Sequence, residues 1–137
     1  MITEEMTSKK TDSFLEARKT ALKQNETKIS YKEILEKCTA YFWGDELAAS
    51  TWINKYAMKD KQENFLEHTP EDMHLRMTKE FARKENEYQE KSKLNGSFSM
   101  LSKYGQQREH LSENKIFELF KEFKYIVPQG SVMSSLG

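Results

Sequence analysis

The chain has 137 residues, the size of one ordinary domain, and its 22 basic residues equal its 22 acidic ones. Zero net charge argues against electrostatically driven binding to DNA, RNA or an anionic membrane. With 36% apolar and 32% charged residues, the chain can build only a modest core, helped by 8 Phe, 6 Tyr, 2 Trp and 7 Met that each bury a large area.

In chain order, residues 1–27 read as a polar leader. Inside it, Ser13 and Glu16 have capping-box spacing, and Phe14, Ala17, Ala21 and Leu22 form a thin stripe, which predicts a short marginal helix. Residues 28–124 then read as a helical region. Ser30 and Glu33 repeat the capping box, and Tyr31, Ile34, Leu35, Cys38, Tyr41 and Phe42 follow the helical period. Gly44 is expected to end that helix, because it tolerates positive φ. Asp45 should cap the next one, ELAASTWINKYAM, with Leu47, Ala48, Thr51, Trp52 and Tyr56 on its apolar side. So short a link predicts a helical hairpin or corner.

A charged connector follows, in which Phe65 and Leu66 are placed for a short extended contact. Thr69-Pro70-Glu71-Asp72 is the clearest start signal in the chain, with Pro in the first turn and acids facing the helix dipole. Met73, Met77 and Phe81 recur every four residues, with Tyr88 two turns on. From Lys91 to His110 the periodicity fails around Asn95-Gly96 and Gly105, predicting a long loop. Leu111, Ser112 and Ile116 then fit a hydrophobic staple around an N-cap. Ile116, Phe117, Leu119, Phe120 and Phe123 predict a strongly amphipathic helix. Residues 125–137 read as a short strand, Tyr125–Val127, and a loop, Pro128-Gln129-Gly130-Ser131.

Little in this pattern carries chemistry. His68, His74 and His110 form no spaced metal set and read as ordinary surface histidines. Glu63, Glu67, Glu71 and Asp72 lack the glycine-bracketed loop of a calcium site. Lys79, Arg83 and Lys84 alternate with Glu80, Glu85 and Glu87, the pattern of a solvated face rather than a nucleic-acid stripe. Cys38 lies on an apolar helix face and reads as a buried, inert thiol. As the single cysteine it excludes an internal disulfide. The Tyr41-Phe42-Trp43 and Trp52 aromatics read as core. No catalytic constellation is visible, and no metal site. The N-terminus has no apolar h-region and no window is long and apolar enough to span a bilayer, so a cytoplasmic protein is expected. The Pro128–Ser131 loop differs in kind: it combines a fixed φ, a permissive Gly and a hydroxyl. It is either a plain turn or a loop that offers N–H groups and the Ser131 hydroxyl to a phosphate or carboxylate.

Three stretches together resemble a known family. YFWGDELAASTWINKYAMKD resembles an aromatic-Gly-Asp-x-Leu-Ala … Trp-x-Asn-Lys-Tyr-Ala-x-Lys-Asp signature. TPEDMHLRMTKEFARKE resembles the Thr-Pro-x-Asp-Met-His-x-Arg helix that follows it, and LSENKIFELFKEFKYIVPQGSVMSSLG the helix and strand leading into Tyr-Ile-Val-Pro-Gln-Gly-Ser. All three are similar to the N-terminal region of the ribonucleotide reductase large chain. The adenosylcobalamin-dependent (class II) type is the nearest, with the iron-dependent type left open. The resemblance runs from about Ile29 to Gly137, with 91–110 poorly matched.

The resemblance implies a mostly α region packed outside a ten-stranded α/β barrel, with Tyr125–Val127 leading to the first barrel strand. It implies Gly130 and Ser131 as substrate contacts, with Gln129 beside them. Val132 departs from the Pro common at that point in the family, which puts the rigidity of the loop, and the contact, in question. The family's thiyl-radical and redox cysteines have no counterpart here, and Cys38 matches none of those motifs. The chain is therefore expected to be an N-terminal fragment, inactive alone, completed by the barrel portion of the reductase. Ribonucleotide substrate and adenosylcobalamin are expected only in the complete enzyme. The alternative is a free-standing helical interaction module of reductase ancestry, docking through Phe117, Phe120 and Phe123.

Overall fold

The structure, a computed structural model, describes residues 29–137; the leader 1–27 and the helix expected over Ser13–Leu22 lie outside the described residues. The described chain is mostly helical. Its contacts divide it into two compact units, one ending at Thr69 and one beginning at Pro70.

In the first unit, helix α1 (Tyr31–Tyr41) opens on the expected capping box. The Ser30 hydroxyl accepts from Glu33 N–H at 3.3 Å, and the Glu33 carboxylate accepts from Ser30 N–H at 2.9 Å. The Ser30 backbone bond holds the Glu33 carboxyl below its ordinary range. At the far end Gly44 takes a φ of 95° and donates to the Thr39 carbonyl at 2.8 Å. Asp45 caps helix α2 (Glu46–Lys55) by accepting from Ala48 N–H at 2.9 Å.

The two helices pack on each other over Ile34, Cys38, Ala49, Trp52 and Ile53, all buried. The apolar side of α2 differs from the expected one. Leu47 is exposed, and Ala49 and Ile53 take the buried face with Trp52. Trp43 is also exposed rather than core, since it occupies the left-handed turn that leaves α1. Cys38 is buried, and its thiol donates to the His68 carbonyl at 3.2 Å. Phe65 makes the expected extended contact, an isolated antiparallel bridge with Lys59.

The second unit is built on helix α3 (Pro70–Leu94), which starts at the predicted signal with Glu71 and Asp72 in its first turn. Its outer face carries a neutralised ladder: Glu87 accepts from Lys84 at 3.1 Å and Lys91 at 2.6 Å, and Arg83 pairs with Glu80. Bonds from Lys91 and then Lys84 push the Glu87 carboxyl down to about 2.

The expected long loop over 91–110 is mostly short helical structure instead. α3 continues to Leu94, Gly96 turns the chain at φ 73°, and a 3-10 turn spans Ser97–Met100. Ser102 then caps helix α4 (Lys103–Gln107). Arg108 ties this excursion back to Glu85 at 3.1 Å, and the His110 ring bonds to Asn86 at 3.0 Å. Polar anchors to α3, invisible as periodicity, order the segment.

Helix α5 (Glu113–Phe120) is capped by Ser112 and packs on α3 through Ile116, Phe117 and Phe120, all buried. A tight turn, Lys121–Phe123, follows; Glu122 and Phe123 both have positive φ, 55° and 56°. The strand expected at Tyr125–Val127 does not form: no ladder reaches it among the described residues. The Ile126 N–H instead donates to the Leu119 carbonyl at 3.0 Å, closing the end of α5. A strand exists only against a neighbouring backbone, and here the segment folds back on its own helix. Pro128–Ser131 is likewise not a free loop, because Gly130 begins helix α6 (Gly130–Ser135).

Candidate functional site

The residues singled out from sequence, Gln129, Gly130 and Ser131, are the N-cap and first two positions of α6. The Val132 and Met133 amides donate to the Gln129 carbonyl at 3.0 and 3.1 Å, which makes Gln129 the pivot of the turn. Gly130 and Ser131 precede the first intrahelical bond, so their N–H groups have no helical acceptor. Ser131 is exposed and Gly130 half-buried.

Gln129 also lines a cleft of about 500 Å³ between α3, α5 and the 126–132 segment. That volume is within the range of ligand clefts. Phe81 and Tyr88 of α3, Leu119 and Phe120 of α5, and Ile126 and Pro128 line it. The cleft is apolar, with Lys84 and Glu85 at its rim and the Gln129 amide among its few polar groups. Chemically it suits an apolar group, with Gln129 among the residues that line it.

Two residues to which the sequence reading gave no role hold this arrangement in place. The first is Arg76. Its guanidinium donates to the Met133 carbonyl at 2.6 Å and also to the Leu136 carbonyl, the open end of α6. A cation on the last carbonyls of a helix satisfies acceptors that have no intrahelical donor and opposes the dipole. Gly137 lies against the stem of the same arginine: a Cβ there would meet Arg76 Cγ at 2.6 Å.

The second is His74, which is wholly buried rather than a surface residue. The Phe120 ring lies parallel to it at 6.3 Å, and Phe123 meets it edge-on at 4.6 Å. Neither ring nitrogen has a hydrogen-bond partner, and one turn on the buried Thr78 hydroxyl has none either. Burial pushes the imidazole down to about 4, so it is neutral at ordinary pH. Both residues belong to the quoted Met-His-x-Arg stretch; that spacing was the available signal.

His68 is buried beside Cys38, and His110 is part of the α3 anchor. Among the described residues no group of three or more His, Cys, Asp or Glu is placed to hold a metal, and none of these helices is long and apolar enough to cross a membrane. No family model matches the chain, and no curated protein or solved structure matches it either.

Proposed function

We propose that the chain is the N-terminal helical part of a ribonucleotide reductase catalytic chain, most like the adenosylcobalamin-dependent type. In the complete enzyme it buttresses the barrel and presents Gln129, Gly130 and Ser131 toward the ribonucleotide. The observation that carries the reading is the mutual fit of two stretches with that family's pattern. His74 and Arg76 of Met-His-x-Arg grip Phe123 and the Met133 and Leu136 carbonyls, which flank Tyr-Ile-Val-Pro-Gln-Gly-Ser on both sides. The exposed apolar run Tyr125–Val127 supports it further, because such a run lacks only a neighbouring strand to become one.

The cofactor, the radical cysteine and the redox cysteines all belong to the barrel polypeptide in this proposal, and this chain alone is inactive. Co-expression with a reductase barrel polypeptide tests it. The expected result is copurification, with conversion of ribonucleotide to deoxyribonucleotide only when both polypeptides, adenosylcobalamin and a thiol reductant are present. A chain that folds cooperatively alone and retains no barrel polypeptide overturns the reading.

The second reading, a free-standing interaction module, loses the docking face expected for it, since Phe117 and Phe120 are buried. Trp43 and Leu47, 90% and 77% exposed, are among the apolar side chains left to it. Retention of an unrelated protein that is released by Trp43→Ala would favour it.

A further inference from the structure

His74 is the one fully buried histidine among the described residues, and both of its nitrogens lack partners. An orphaned buried polar group is costly, and it gains most from any motion that wets it. Of the two rings packed on it, Phe123 comes nearer, and that ring is carried by a turn in which Glu122 and Phe123 both adopt left-handed backbone. Non-glycine residues pay for that conformation. The seal is therefore strained, while the atoms it covers want water.

The same turn ends in the Ile126 N–H bond to the Leu119 carbonyl, which ties the backbone of the apolar run Tyr125–Val127 to the end of α5. Turn, seal and apolar run thus move as one piece. We propose that Phe123 on His74 is a proton-operated latch, whose opening exposes the imidazole and frees the backbone of residues 124–128 to pair with another strand. This does not depend on the reductase reading.

The charges around the latch leave the imidazole as its titrating element. On its own helix the nearby ionic groups are Glu71, Asp72 and Arg76, and α6 contributes none. From α5 come Glu113, Lys115 and Glu118, and from the turn Lys121, Glu122 and Lys124. None bonds to His74; burial is the cause of its depressed pKa.

Closed, the ring titrates near 4; open, it regains an ordinary value of about 6.5. Protons therefore favour the open form increasingly below pH 6.5. The opening constant should rise about sevenfold from pH 6 to pH 5.

Amide hydrogen exchange of the full chain, corrected for the intrinsic pH dependence, reads this directly. Exchange at Ile126 should rise by that factor, and Ile126 should stay far less protected at every pH than Ala82 in the middle of α3, which reports unfolding of the whole unit. His74→Phe should abolish the pH dependence at Ile126. Glu122→Gly, which relieves one strained φ, should slow Ile126 exchange at every pH and keep the slope. A flat profile at Ile126 in the unaltered chain overturns the latch. So does equal protection at Ile126 and Ala82, which would mean that His74 is wetted only by unfolding of the whole unit. The unaltered chain decides the matter even if His74→Phe fails to fold.

Discussion

Replacing Arg76 by Met isolates what keeps α6 folded. A six-residue helix has essentially no stability of its own, because nucleation costs more than so few internal bonds return. Two interactions supply the deficit: the burial of Met133, worth about 2 kcal/mol, and the Arg76 fork on the Met133 and Leu136 carbonyls. A hydrogen bond from a charged group contributes about 1.5–3 kcal/mol when buried. Arg76 is half-buried, so the pair together is worth about 3 kcal/mol after screening. Met keeps most of the apolar stem on which Gly137 lies and removes only the fork.

Losing about 3 kcal/mol corresponds to roughly a hundredfold loss of amide protection. It should appear at Met133 and Leu136, whose N–H groups bond to the Gln129 and Val132 carbonyls. Protection in α3 and α5 should hold. Arg76→Lys should fall between, since an ammonium keeps the charge but not the two-pronged geometry. Exchange measured by NMR on the two variants decides it. If Arg76→Met leaves Met133 and Leu136 within about threefold of the parent, the fork does not hold α6, and Met133 burial alone must suffice.

Three further outcomes follow from the same contacts. Ser30→Ala removes one half of the α1 capping box and should cost about 1 kcal/mol in a denaturant melt, with α3 unaffected. Glu122→Gly should raise stability by about 1 kcal/mol, because φ 55° carries no penalty for glycine. Global stability should be level above pH 6.5 and decline below it, by at most about 3 kcal/mol at pH 4, because the unfolded chain takes up a proton on His74 that the folded chain refuses. Urea melts at pH 7.5 and pH 5 should show that decline in the parent and lose it in His74→Leu. An equal decline in both would assign it to other groups.

The sequence announced what is decided within a turn or two of helix. Ser30 with Glu33, Gly44, Asp45, Pro70 and Ser112 all fall where their local chemistry put them. It was silent where a partner far along the chain decides. Leu47 fits an apolar stripe on α2 as well as Ile53 does, yet only Ile53 is covered. His74 looks polar between Met73 and Leu75, but every residue from Asp72 to Leu75 is buried, and no helical period predicts a helix enclosed on that many sides. Residues 91–110 read as loop because Arg108 and His110 order them through polar bonds to Glu85, Asn86 and Gln89, which leave no periodic trace. Tyr125–Val127 has the composition of a strand and lacks the neighbour that would make it one.

His74 and Arg76 stand two residues apart, about 200° around the helix, so they leave α3 on nearly opposite sides. One meets the turn before the Pro-Gln-Gly-Ser stretch, and the other meets the helix after it. The stretch from Phe120 to Leu136 therefore clasps α3 from two sides, pinned at Phe123 and again at Met133. Between the pins lie Tyr125–Val127, apolar and exposed, and Gln129–Ser131, with two N–H groups not used by their helix. The two pins differ in character. The arginine fork is a pair of hydrogen bonds to backbone carbonyls, whereas the histidine seal is strained and weakens as protons become available. Motion of the candidate site should thus be one-sided, hinging at α6 and opening from the Phe123 end, which brings the strand-like run out first and leaves Gln129 near its cleft.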